Sequence, residues 1–285
     1  MLSIDCHIHI LPLEMVKPAI REAILSSKSV DSEQYARVCR DASELIRILD
    51  VADVEKAGLM SYQSPRVIGV NNEQVEFIAR YRSQYRDRLV QIGSANPVVD
   101  VHPVKTLEWL YSKLEVKIGK IHPVHQLYKP NAYRREEGGL ARLEKMYEFL
   151  ESHSIPVMVH TGSSIFPGAG LKYGDPIFLD DVANDFPHLQ LIMCHAGRPV
   201  WMNTASVLMR KHPRMMLDLT GIPPKRLLEY IPKLEEFQDR AMFGSDWASP
   251  GVKGIGENKQ EFEKIEISAG AKRKILYDNA KRVFG

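Results

Sequence analysis

Residues 2–9 read LSIDCHIH, and their alternation sets the reading of the whole chain. In an extended strand successive side chains point to opposite faces, so Asp5, His7 and His9 share one face while Cys6, Ile8 and Ile10 share the other. One face is polar and the other apolar. A half-buried strand with a solvated face has the same pattern, so the meaning of the two histidines depends on what the rest of the chain sets beside them.

Outward from this strand, short apolar runs rich in β-branched residues recur at 57–62, 89–95, 116–122, 156–160, 190–195, 215–219 and 241–246. Segments of helical periodicity separate them, 71–85 and 140–152 among them, and Pro223-Pro224 opens another because proline suits a first helical turn. Strand and helix alternating in this way predict β-α units and a parallel sheet. Eight units in 285 residues fit a (β/α)8 TIM barrel, one domain over 1–285, better than a doubly wound open sheet. No Gly-x-Gly-x-x-Gly follows an early strand, which argues further against a dinucleotide-binding sheet. Residues 13–40 exceed an ordinary βα connection and carry helical content of their own; they read as an insertion or a lid after strand one.

Composition narrows the partners. Hydrophobic residues make up 44% and charged residues 26%, with no low-complexity tract, as in a globular protein. Lys and Arg number 38 against 36 Asp and Glu, so the net charge of +2 gives no electrostatic reason to expect nucleic acid or an anionic membrane. A small-molecule substrate is the expected partner, and a homodimer is compatible with the pattern. No apolar run approaches the roughly 18 residues that span a bilayer, and the strand-like start leaves no room for a cleavable signal, so the chain reads as cytoplasmic. Cys6, Cys39 and Cys194 are few and scattered, which speaks against a disulfide framework. Cys6 and Cys194 fall on the apolar faces of their strands, Cys194 with Ile192 toward the helices.

The unusual polar residues gather at C-terminal strand ends. His7 and His9 close strand one, Lys120 and His122 strand four, His160 strand five, His195 strand six and Asp246 strand eight. Barrel enzymes build their active sites on that rim. Met158, Met193 and Met242 share strand faces with these residues and are expected to fill the layer beneath. Imidazole and carboxylate donors brought together suit zinc and related divalent ions. His102, His153, His188 and His212 fall in loops or at helix ends, commonly beside proline, and read as solvated or capping residues. His125 lies near the rim without a clear role.

The set Asp5-Cys6-His7-Ile8-His9, Gly119-Lys120-Ile121-His122-Pro123, Val159-His160-Thr161-Gly162, Cys194-His195-Ala196-Gly197 and Gly244-Ser245-Asp246-Trp247 resembles the amidohydrolase superfamily. More narrowly it is similar to the TIM-barrel metal-dependent hydrolase branch related to aminocarboxymuconate-semialdehyde decarboxylase, and residues 279–284 resemble that branch's last helix. The likeness spans the chain. It implies that His7, His9, His160 and Asp246 are metal ligands and that His195 holds a catalytic or second-metal position. Lys120 matches a lysine that some relatives carry as a metal-bridging carbamate. One divalent metal per chain, zinc first, is therefore expected, or two if Lys120 is carboxylated.

The resemblance leaves the reaction open among hydrolysis, non-oxidative decarboxylation and, in a barrel that has lost catalysis, binding alone. His195-Ala196-Gly197-Arg198-Pro199 departs from the acidic or Gly-rich version expected in the decarboxylases, which favours hydrolysis of an ester, lactone or amide. In that mechanism the metal acidifies a water, Asp246 serves as general base and then acid, and His195 polarises the carbonyl. Lys120, His122 and Arg198 are the candidate substrate-binding residues, Arg198 through a bidentate grip on a carboxylate. Asp5 reads as a supporting residue, and Trp201 and Trp247 as packing.

Overall fold

The computed structural model describes residues 1–27, 29 and 31–285. Eight strands alternate with helices along them: β1 (Ser3–Ile8), β2 (Val54–Met60), β3 (Leu89–Ile92), β4 (Gly119–Ile121), β5 (Val157–His160), β6 (Leu191–Cys194), β7 (Met216–Asp218) and β8 (Ala241–Met242). This is the (β/α)8 barrel pattern read from the sequence. All the observed strands except β2 are shorter than the apolar runs, trimmed at one end or both. β2 differs most: it begins at Val54, three residues ahead of the run expected from 57, since Ser3 and Ile4 pair with Val54 and Lys56.

The residues cluster into two compact units. The first comprises Met1–Met60, Phe77–Gln91 and Asp218–Gly285. In it β1 pairs in parallel with β2 through Asp5 opposite Ala57 and Ile8 opposite Leu59. The other edge of β1 takes the chain that follows β8: Cys6 donates its N–H to the Phe243 carbonyl at 3.1 Å, and Asp246 donates to the His7 carbonyl at 3.0 Å. Ile8, Ile10, Leu45, Leu49, Leu59, Leu89 and Trp247 form the core.

The long connection after β1 holds helices α1 (Pro18–Ser26) and α2 (Ser32–Arg40), followed by α3 (Ala42–Val51). Residues 28 and 30 of the segment read as an insertion or lid lie outside the described residues. Asp31 caps α2 by accepting from the Glu33 and Gln34 N–H groups. The helix then turns Tyr35, Val38 and Cys39 into the core, and Tyr35 meets Trp247 edge-on at 5.7 Å. Trp247 is a packing residue, as its sequence position suggested.

The second unit comprises Ser61–Glu76 and Ile92–Leu217. Its strands lie in chain order, β4 beside β5 and β5 beside β6. Lys120 pairs with Met158 and His160 with Cys194, all in parallel register. The helix Pro103–Lys113 packs on Ala141–Ser152, with Tyr111 stacked on Phe149. Met158 is fully buried on the face of His160, Met193 is fully buried on the opposite face, where it pairs with Val159, and Met242 is buried in the first unit. Among the described residues no helix is long and apolar enough to cross a membrane.

Candidate metal centre and histidine cluster

In the first unit the strand alternation delivers His7 and His9 to one point, and Asp246 meets them there. His7 Nε2 and His9 Nε2 lie 3.2 Å apart, His9 Nε2 is 3.2 Å from Asp246 Oδ1, and His7 Nε2 is 3.7 Å from the same oxygen. Ligands about 2.1 Å from a tetrahedral ion stand about 3.4 Å from each other, so the three atoms have the spacing of three corners of a coordination tetrahedron. The donor set therefore fits a divalent metal.

Local backbone places the carboxylate. Asp246 adopts φ 63°, a left-handed conformation that ends the β8 extension and swings its side chain back over β1. Ser249 Oγ donates to Asp246 Oδ1 at 3.0 Å. Two residues earlier the chain needs glycine: a Cβ on Gly244 would sit 2.4 Å from Thr220 Cγ2 and 3.0 Å from Cys6 Sγ.

His7 is oriented from behind. Its Nδ1 lies 2.6 Å from Asp218 Oδ2 and 3.2 Å from Thr220 Oγ1, while Thr220 N–H donates to Asp218 Oδ1 at 2.9 Å. A carboxylate on Nδ1 holds the proton there and leaves Nε2 with its lone pair free for a metal. Asp5 lies on the same side: its Oδ1 accepts from the His7 and Ser245 N–H groups at 3.1 and 2.9 Å. Burial pushes the Asp5 carboxyl up to about 7, against the lowering effect of the Ser245 and His7 hydrogen bonds.

The second unit gathers the other rim residues. The His160 ring stacks on His122 at 3.8 Å and meets His195 at 4.6 Å in an edge contact. His122 stacks in turn on His125 at 3.6 Å. Burial holds both His122 and His160 well below the ordinary histidine range, and the surrounding histidines and Lys120 act in the same direction. His160 Nε2 is buried with no hydrogen-bond partner among the described residues, as suits a ligand atom. Arg198 is half-buried and within electrostatic reach of His160. Thr161 Oγ1 donates to the Cys194 carbonyl at 2.6 Å and accepts from the Gly197 N–H at 2.9 Å, tying the β5 end to the β6 turn. Gly162 has φ +93°, and a Cβ there would fall 2.3 Å from the Arg198 carbonyl oxygen.

One orientation differs from the sequence reading. Cys194 does not face the helices: Lys120 Nζ donates to its Sγ at 3.4 Å, both side chains being fully buried. The alternation rule breaks because His195 and Ala196 take φ 66° and 49°. His195 thus reaches His160 through a left-handed turn, and the strand's inward position falls to Cys194. Sequence reasoning also passed over Asp218. Its signal was present, an acidic residue closing the apolar run Met215-Met216-Leu217 just before Thr220-Gly221. His125 gains a setting as well: its Nδ1 meets the Tyr62 hydroxyl at 2.8 Å and its Nε2 meets Ser164 Oγ at 2.7 Å. His212, read as a helix-end residue, caps the helix Met202–Lys211 and reaches Asp180 at 2.7 Å.

A parallel (β/α)8 chain with His-x-His at the end of β1 and an aspartate beyond β8 within reach of one ion is a barrel protein with a candidate metal site. The chain belongs to the amidohydrolase family, whose pattern it matches over residues 4–285. No curated protein matches its sequence. Several solved structures share its fold. A TIM-barrel protein from Bordetella bronchiseptica superposes with a TM-score of 0.76 at 20% identity, covering 99% of this chain and 98% of that one. The 2,6-dihydroxybenzoate decarboxylase from Rhizobium gives 0.68 at 13% identity, covering 100% and 98%. A 5-carboxyvanillate decarboxylase from Novosphingobium aromaticivorans, complexed with manganese, gives 0.67 at 14% identity, covering 99% and 96%.

Proposed function

We propose that this protein is a metal-dependent hydrolase acting on an ester, lactone or amide carbonyl of a small, carboxylate-bearing molecule. The observation that carries the reading is the spacing of His7 Nε2, His9 Nε2 and Asp246 Oδ1, 3.2 to 3.7 Å from one another. His7, His9 and Asp246 are proposed as ligands on that geometry, and the sequence motif adds His160, whose buried Nε2 makes no other bond among the described residues. Zinc is the metal the donor set favours, one ion per chain. When bound, a divalent ion supplies Lewis acidity that acidifies water and polarises a carbonyl.

The remaining chemistry belongs to the chain. Asp246 takes the proton of the attacking water on its carboxylate and returns it to the leaving oxygen or nitrogen, so water and substrate become an acid and an alcohol or amine. His195 donates to the carbonyl oxygen as negative charge develops on it. Lys120, His122 and Arg198 hold the substrate, Arg198 by pairing with its carboxylate.

A second reading, non-oxidative decarboxylation on the same donor set, is favoured by the named activities of the Rhizobium and Novosphingobium structures and by the manganese in the latter. The two readings separate in one experiment. Protein loaded with zinc or manganese is incubated with lactones, esters, amides and hydroxylated aromatic acids, and released acid and carbon dioxide are followed together. Acid without carbon dioxide supports hydrolysis; carbon dioxide release from an aromatic acid assigns the second reading. A protein that takes up neither metal is a binding barrel, and both readings fall.

A further inference from the structure

Three histidine rings lie in parallel in the second unit: His125 against His122 at 3.6 Å and 7°, and His122 against His160 at 3.8 Å and 16°. Each of the outer two has a use for a ring nitrogen. His125 uses both, one on the Tyr62 hydroxyl and one on Ser164 Oγ. His160 offers its buried Nε2 to the proposed metal.

His122, in the middle, is different. It is the N-cap of the short helix Pro123–Gln126, and its Nδ1 accepts the His125 backbone N–H at 3.3 Å, a bond that this N–H shares with the His122 carbonyl at 3.0 Å. A nitrogen that accepts a hydrogen bond carries no proton, so the proton of the neutral ring resides on Nε2. The ring cannot turn to exchange these roles. Its own backbone N–H is held by Gln126 Oε1 at 2.8 Å, and Gln126 is fixed by Tyr128 and by the Gln63 carbonyl. The rings of His125, His160 and Tyr62 stack against it at 3.6, 3.8 and 4.9 Å and hem it in. The Nε2–H makes no hydrogen bond to any described residue, although the residue is only 4% exposed. That nitrogen is not closed off by the protein, so the donor is held in place and open to a ligand that supplies an acceptor.

We propose that His122 is a fixed neutral hydrogen-bond donor to a substrate oxygen, of carbonyl, carboxylate or alkoxide type, and is not a metal ligand. His125 is the positioning residue: its backbone N–H sets the tautomer, and its ring, pinned by Tyr62 and Ser164, sets the plane. This rests on the metal-centre reading above and adds to it the tautomer of His122 and the chemical class of the group that it meets. It also divides two neighbouring histidines by role. His160 uses a lone pair and His122 uses a proton.

The test has two arms. In protein labelled with nitrogen-15 histidine and loaded with zinc, a long-range proton–nitrogen correlation spectrum reads the tautomer, with His122 assigned by its absence from the His122→Gln spectrum. The expected result is a proton on Nε2 and none on Nδ1; a proton on Nδ1 overturns the proposal. The second arm measures the affinity of acetohydroxamate, a metal-directed probe that carries a further oxygen acceptor, with metal content read in each variant. His122→Phe keeps an aromatic ring in the stack and removes the donor, and it is expected to keep its metal and bind the probe about tenfold more weakly, the worth of one hydrogen bond. His122→Gln restores a side-chain N–H and recovers part of that loss. Unchanged affinity in His122→Phe, or loss of its metal with the fold intact, overturns the assignment. A wild-type protein that takes up no metal fails the earlier reading alone, and the tautomer, read on the metal-free protein, still decides this one.

Discussion

His7 Nδ1 and Asp218 Oδ2 lie 2.6 Å apart, fully buried, across 211 positions of sequence. The pair fixes which nitrogen of His7 faces His9 and Asp246. A carboxylate behind a ligating histidine raises its basicity and orients its ring, and its removal typically costs ten- to a hundredfold in metal affinity. Asp218→Asn is therefore expected to fold, to bind zinc about 10- to 100-fold more weakly in competition with a chelator, and to lose activity that excess zinc partly restores. Unchanged zinc affinity would show that the pair serves packing alone.

Removing the donors themselves has a larger effect. His160→Ala, and separately His7→Ala combined with His9→Ala, are expected to emerge from dialysis without metal and without activity while the circular dichroism spectrum stays that of the wild type. Met158, beneath His160, and Ile4, on the opposite face of β1 from His7, are fully buried and carry the packing. Full metal occupancy in either variant removes the mutated residue from the coordination sphere.

The fold and half of the site were legible because they depend on local periodicity. Apolar runs alternating with helical segments specify parallel strands, and the two-residue alternation of β1 puts His7 and His9 on one face. What escaped depends on tertiary pairing or on backbone that leaves the regular regions. Asp218 joins His7 from a strand far along the chain, and no spacing rule announces that. Cys194 was turned the wrong way because alternation was carried one residue too far, into a His195 that adopts φ 66°. The stack of His122 on His125 belongs to a four-residue helix too short to show a period.

Cys39 provides a test of the core around α2. Burial pushes its thiol up to about 12, against the lowering effect of its hydrogen bond with Tyr35. At pH 8 only about one part in ten thousand is thiolate, the reactive form, and Cys6 and Cys194 are buried as well. The native protein is expected to resist iodoacetamide at pH 8, and all three cysteines to react in denaturant, as counted by mass spectrometry. Rapid labelling of Cys39 in the native state would show that α2 opens from the core.

Asp246→Asn separates proton transfer from binding. The amide keeps the shape and can still accept from Ser249, but it cannot take up a proton at neutral pH. Turnover is expected to fall about 100- to 10,000-fold, with a much smaller change in KM. Metal content is measured alongside and restored by added zinc, so that a lost ligand is not mistaken for a lost base. A metal-replete variant with wild-type turnover would place the base elsewhere.

Lys120 decides how many metals the chain holds. A carbamate on its amine would supply a bridging carboxylate and call for a second ion; a free amine leaves one ion and a cation for the substrate. The amine donates to Cys194 Sγ at 3.4 Å and both groups are fully buried, so the lysine has a partner as an unmodified side chain. Carboxylation would add a negative group in a pocket that already holds that thiol. The expected result is one zinc per chain by metal analysis and an intact mass without the added carbon dioxide, with activity independent of bicarbonate in the refolding buffer. Lys120→Met would then keep its single metal and lose substrate affinity. Two tightly bound ions in the wild type, with one lost in Lys120→Met, would establish the carbamate instead.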